Sequence, residues 1–149
     1  MNRSEAREIA VRLCFEVSSR ECVASEVLEH FFEEDYYESL ASEDKLYESR
    51  PQENHRQYIE KLVLGVGEHS AELDGYIEKY AKGWAFGRIS RTAVAVIKTA
   101  MFEILYMPEI PNGAAINEAV EIAKKYDEPE TVSFINGILG SFVREELPV

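Results

Sequence analysis

A chain of 149 residues, 46% hydrophobic and 30% charged, is long enough to bury one core and is expected to fold as a single globular domain. Eight glycines and five prolines are too few for a turn-rich all-β fold or a disordered chain, and no apolar run approaches the roughly 18 residues that a membrane span requires. The net charge of −12 argues against non-specific binding of nucleic acid by the molecule as a whole.

In chain order, the apolar periodicity is helical almost throughout. Ala6, Ile9, Ala10, Leu13, Cys14 and Val17 share one face of a first helix, with Ser4 or Asn2 as its cap. Acids interrupt the apolar positions of this segment, which therefore lacks a signal peptide's continuous apolar stretch; the expected location is the cytoplasm. Cys14 and Cys22 form no CxxC pair and are expected as reduced thiols. "ASEVLEHFFEE" fits a second helix with Ser25 as N-cap and Val27, Leu28, Phe31 and Phe32 on its apolar side. Residues 35–54 lack a clean period. They lie within the segment 21–60, which carries twelve acidic against three basic groups, and are expected to be a long acidic connection with at most a helical turn.

Tyr58, Ile59, Leu62, Val63 and Val66 resume the helical pattern, and Gly65, Gly67 and Ser70 mark a break before a shorter helix ending near Lys82. Ser90 is placed to cap the next helix, and Pro108 and Pro111 to stop it. From Ala93 to Leu105 that helix is apolar on all sides except at Lys98 and Glu103, as the central helix of a bundle must be. "NGAAINEAVEIAKKY" follows with Asn112 as its cap, and Pro129 opens a last helix carrying Phe134, Ile135, Ile138, Leu139, Phe142 and Val143. The expected architecture is all-α: one domain over residues 1–149, a helical bundle of six or seven helices.

Catalytic chemistry finds no support in these residues. None of His30, His55 and His69 follows a glutamate by three, as a di-iron bundle would need. Two cysteines on one local segment do not make a zinc site. "GVG" at 65–67 has no preceding strand and is not a phosphate loop. No metal, no cofactor and no enzymatic activity are expected. Asn117 and Glu118 raise the question of a cluster, and they are read as scaffold: an asparagine beside an apolar stripe can bond loop backbone and lock neighbouring helices. The same reading covers Asn136 and Gly137, with the glycine permitting close helix packing.

One constellation points to a ligand. At 100° per residue Phe15 lies almost opposite the apolar face of the first helix, and Arg7, Val11 and Phe15 form one row, with Arg3 before it and Arg12 beside it. An outward aromatic among arginines suits single-stranded RNA, whose bases stack on the ring while guanidiniums meet phosphate. Packing of this helix on both sides is the competing account, and the pattern leaves both open.

The C-terminal half carries a resemblance. "W…RIS…AVAVIKTAMFEILY…IPNGAAINEAVEIAKKY…FINGIL", from Trp84 and Arg88 onward, is similar to the NusB family of bacterial transcription antitermination factors. Upstream, "AREIAVRLCFE", "LVLGV" and "LDGYI" fit the same family in order, so the likeness covers nearly the whole chain. The resemblance implies a non-enzymatic, NusB-like helical protein that pairs with NusE, a small-subunit ribosomal protein. The pair would bind the boxA RNA element and join the RNA polymerase antitermination complex, notably on ribosomal RNA operons. It further implies an RNA surface at Arg3, Arg7, Phe15, Lys98 and Phe134, and a partner contact at Glu130.

Departures from the family pattern qualify this. Ser4 and Glu5 stand where basic residues are common, and each lost phosphate contact weakens binding. Weak RNA binding alone and a strong requirement for the basic partner are therefore expected. Two alternatives remain beside the main reading. One is a protein-interaction scaffold of the same fold with weak or lost RNA binding; the other is the NusB-like module of a ribosomal RNA cytosine methyltransferase, a reading that would need this chain to be a fragment. The family includes monomers and dimers, and a homodimer burying the Arg7–Phe15 face is left open.

Overall fold

Helix α1 (Arg3–Arg20) starts where its sequence says it should. The Asn2 side chain accepts from the Glu5 amide at 2.8 Å, and the Asn2 amide donates to the Glu5 carboxylate at 2.9 Å. This reciprocal capping box satisfies two of the orphan donors of the first turn, so Glu5, which breaks the basic pattern, has a structural task. The computed structural model describes residues 1–83 and 89–147. Trp84 and Arg88, which carry part of the resemblance, lie outside the described residues. The described residues hold eight α-helices and one 3-10 turn, and no strand. They divide into two compact units, residues 1–67 and 68–149.

In the first unit α1 is followed by α2 (Ala24–Phe31), α3 (Glu34–Leu40), a 3-10 turn (Lys45–Tyr47) and α4 (Glu53–Glu68). Two expectations are corrected here. Ser25 does not cap α2; Val23 holds the cap position and makes no side-chain bond there. The acidic connection at 35–54 is largely structured. Tyr37 is buried at 3% exposure, edge-on to Phe31 and Tyr47 at ring separations of 5.4 and 5.9 Å. Its hydroxyl donates to the Ser49 carbonyl at 2.9 Å, and burial pushes its pKa up to about 12. Three aromatics and Leu46 anchor this segment, while its acids other than Asp44 are exposed. The anchors do not recur at helical spacing, so no period reveals them.

The second unit contains α5 (Ser70–Tyr80), α6 (Arg91–Tyr106), α7 (Asn112–Tyr126) and α8 (Pro129–Glu146). The break from α4 to α5 falls at His69, beyond both glycines. With α3 added and α5 distinct, the bundle exceeds the expected six or seven helices by one. Ser90 caps α6 as its position suggests, accepting from the Ala93 amide at 3.1 Å. Every residue from Ala95 to Ile104 is buried, which makes α6 the helix that α5, α7 and α8 pack around. Pro111, not Asn112, takes the cap position of α7; Asn112 is the first helical residue and no side chain caps this end. Pro129 occupies the first turn of α8, where its missing N–H costs nothing.

Between α5 and α8, Phe142 is fully buried against Tyr76 and Tyr80 at 5.0 and 6.2 Å. A polar clasp closes the same pair of helices: Lys79 binds the Glu146 carboxylate at 2.6 Å, and the Tyr80 hydroxyl donates to it. These two donors hold the Glu146 carboxyl below its usual range, and the carboxylate raises Lys79 to about 12.

Candidate nucleic-acid interface

The candidate residues of the first unit lie on α1, and the structure treats them unequally. Arg3 is the first helical residue and is exposed. Its guanidinium sits over the ring of Tyr58, a buried residue of α4, at 4.2 Å from the ring centre. Arg7, one turn on, approaches the same ring at 5.6 Å but is itself only 5% exposed. Val11 is buried, and Phe15 is 37% exposed. The expected outward row therefore faces solvent at Phe15 and not at Arg7 or Val11. Residues 6 to 11 of α1 are all buried, so this part of the helix is enclosed on every side and has no outward face for a periodicity to locate.

Arg12, beside that row, is committed elsewhere. It donates to Asp44 at 2.9 Å, to Glu8 at 3.2 Å and to the Tyr47 hydroxyl at 3.1 Å. The acidic segment thus braces α1 through an arginine.

In the second unit, Lys98 of α6 is buried at 8% exposure. Its ammonium donates to Ser70 at 2.7 Å and pairs with Asp74 at 2.9 Å, both on α5. It links two helices, and its charge is already met. On α8, Phe134 is half-buried and Glu130, four residues earlier, is exposed. Residues spaced by four share a helix face, so the candidate RNA contact and the candidate partner contact on α8 are neighbours. Glu130 also lies in the first turn, where a negative charge favours the helix.

Two scaffold expectations are corrected. Asn117 is exposed, and no side-chain hydrogen bond ties it to a neighbouring helix among the described residues. Gly137 is exposed too, and a methyl group added there would meet nothing within 4 Å, so close packing does not require it. Asn136 borders a groove of about 530 Å³ between α7 and α8, lined also by Val120, Lys124, Asp127, Pro129 and Val132. Neither cysteine forms a disulfide; Cys14 is buried and Cys22 half-buried. Among the described residues no cluster of three His, Cys, Asp or Glu side chains could hold a metal ion, and no helix is long and apolar enough to cross a membrane.

Tyr58 is the residue that sequence reasoning missed as a site element. It reads as one more apolar position of α4, and only its neighbours in space distinguish it.

A sequence profile described as the NusB family matches residues 4–144. The transcription antitermination protein NusB of Acetivibrio thermocellus is 40% identical over 147 residues, covering 99% of this chain and 92% of that protein. Its counterpart from Thermoanaerobacter sp. (strain X514) is 38% identical over 146 residues, covering 98% and 93%. Among solved structures, NusB of T. maritima superposes with a TM-score of 0.80 at 25% identity, over 99% of this chain and 94% of that one. The NusB chain in a crystal structure of the antitermination factors NusB and NusE with dsRNA has the same fold, with a TM-score of 0.75 at 20% identity over 95% and 96% of the two chains.

Proposed function

The chain belongs to the NusB family of transcription antitermination proteins, and on that premise we propose that it binds boxA-type RNA together with NusE, as part of the RNA polymerase antitermination complex in the cytoplasm. A non-enzymatic role follows from the same membership. The observation that carries the RNA reading is Arg3: an exposed guanidinium over the Tyr58 ring, on the helix that also exposes Phe15. Cation and aromatic on one helix supply phosphate contact and base stacking. In the second unit, Phe134 on α8 is a candidate RNA contact in its own right, and Glu130 beside it offers a negative contact to a basic ribosomal protein. With a net charge of −12, the chain gains from such a partner in two ways: the partner supplies positive charge for RNA, and opposite charges steer the encounter.

A titration of boxA-type RNA, with and without NusE and over a salt series, tests this. Salt-sensitive binding that needs the partner and is weakened by Arg3→Ala and Phe15→Ala is the expected result.

A specific observation favours a second reading, the interaction scaffold. Arg7 and Lys98 are buried, and Arg12 is spent on Asp44 and Glu8, which thins the cationic surface. NusE binding with no RNA binding at any salt concentration would select it.

A further inference from the structure

Along α1 the arginines meet rings and carboxylates, and it is the carboxylates that determine what each can still do. Arg12 pairs with carboxylates at 2.9 and 3.2 Å. Such pairs consume the donors of the guanidinium and cancel its charge. Arg3 has no carboxylate partner among the described residues; its contact is the face of Tyr58 at 4.2 Å. A ring face, unlike a carboxylate, does not cancel the charge of the guanidinium, and N–H donors remain for phosphate.

Helix physics alone gives no reason for Arg3. A cation at the first helical position opposes the macrodipole, and the capping box of this end is complete without it. Tyr58, by contrast, is 4% exposed on α4, next to the fully buried Ile59, so its ring has one fixed orientation. The same ring receives the buried Arg7 at 5.6 Å.

We propose that Tyr58 is the positioning residue of the RNA surface: its buried ring holds the Arg3 guanidinium with its donors open to a phosphodiester of single-stranded RNA. This rests on the RNA reading given above.

The test uses the full chain with NusE and a boxA-type RNA oligonucleotide over a salt series. Tyr58→Phe, which keeps the ring, is expected to bind like the wild type. Tyr58→Leu is expected to weaken binding about fivefold and to lower the slope of log affinity against log salt by about one, as one lost phosphate contact does. Arg3→Ala should match it, and the double variant should be no weaker than either single, because both remove the same contact. The second readout is the NMR signal of the Arg3 Nε–H without RNA. Ring current should shift it upfield in the wild type and in Tyr58→Phe, and this decides the matter if Tyr58→Leu does not fold.

Wild-type affinity and slope in Tyr58→Leu, additive losses in the double variant, or an unshifted Arg3 signal would each overturn the role of Tyr58 while leaving RNA binding intact. If the wild type binds no RNA even with NusE, the underlying reading fails and this one with it.

Discussion

Arg3 on α1 and Lys98 on α6 are both cations that the family resemblance puts forward for RNA, and their surroundings differ in kind. Lys98 projects from a helix buried from Ala95 to Ile104 and satisfies its ammonium on Ser70 and Asp74. Arg3 stands at the open start of α1, over an aromatic face and free of ion pairs among the described residues. A buried ammonium must be paired or it costs several kcal/mol, so Lys98 is bound to the fold first. An exposed guanidinium on a ring pays no such desolvation. Of these two cations, the charge of Arg3 is available and that of Lys98 is committed.

This contrast can be broken or sharpened by measurement. The largest effects should come from the apolar cores beneath the two cations. Met101→Ala on α6 and Ile9→Ala on α1, both at 0% exposure, are each expected to cost about 2–5 kcal/mol by denaturant unfolding. A loss well under 1 kcal/mol at Ile9 would mean that α1 is not anchored as its burial indicates.

Lys98→Ala should come next, at about 1 kcal/mol, the low end of the range for a broken charged bond because Asp74 is 40% exposed. RNA affinity, corrected for the folded fraction, should hardly change. Arg3→Ala should invert this pattern, with stability within about 0.5 kcal/mol of wild type and RNA binding lost in part. If Lys98→Ala abolishes RNA binding in a fully folded protein, the distinction between committed and available cations collapses.

Asn2→Ala removes the acceptor of the capping box and should cost about 1 kcal/mol, read as a lower melting temperature with fraying confined to the first turn of α1 in hydrogen exchange. The smallest effect belongs to the clasp between α5 and α8. Its hydrogen bonds from Lys79 and Tyr80 hold Glu146 below the usual carboxylate range in the folded state. That contribution is present above the unfolded value and is lost as pH falls through the folded one. Glu146→Gln should therefore flatten the acid side of the stability profile and leave a difference from wild type only above that window.

Much of the fold is legible without coordinates, and the failures have physical causes. The 3.6-residue apolar period marks α4, α7 and α8 because each buries a stripe against its unit, while α6 shows as an apolar run buried on every side. Ser90 and Pro129 are legible as helix starts because a cap and a first-turn proline act within a few residues. Helix α3 escaped because seven residues with one buried side chain, Tyr37, have no stripe to show. Asn112 has the identity of a cap, but Pro111 already supplies the extended backbone that precedes the helix. Gly137 was given a packing role on its identity alone, and the space around it is open.

The candidate site was half legible. The spacing singles out Phe15 and the resemblance Arg3 as candidates, and both are exposed. The burial of Arg7 was not foreseen, nor was the internal pairing of Lys98, nor the ring beneath Arg3. By itself the sequence determined the helical class, most helix positions and the family, because these reside in local spacing and in motifs read along the chain. The tertiary structure alone decided which cations remain free. Asp44 reaches Arg12 across 32 residues and Ser70 reaches Lys98 across 28, while Tyr58 meets Arg3 from another helix. A helical period reports neighbours one turn away, and whether a charge is spent depends on partners that only folding brings within reach.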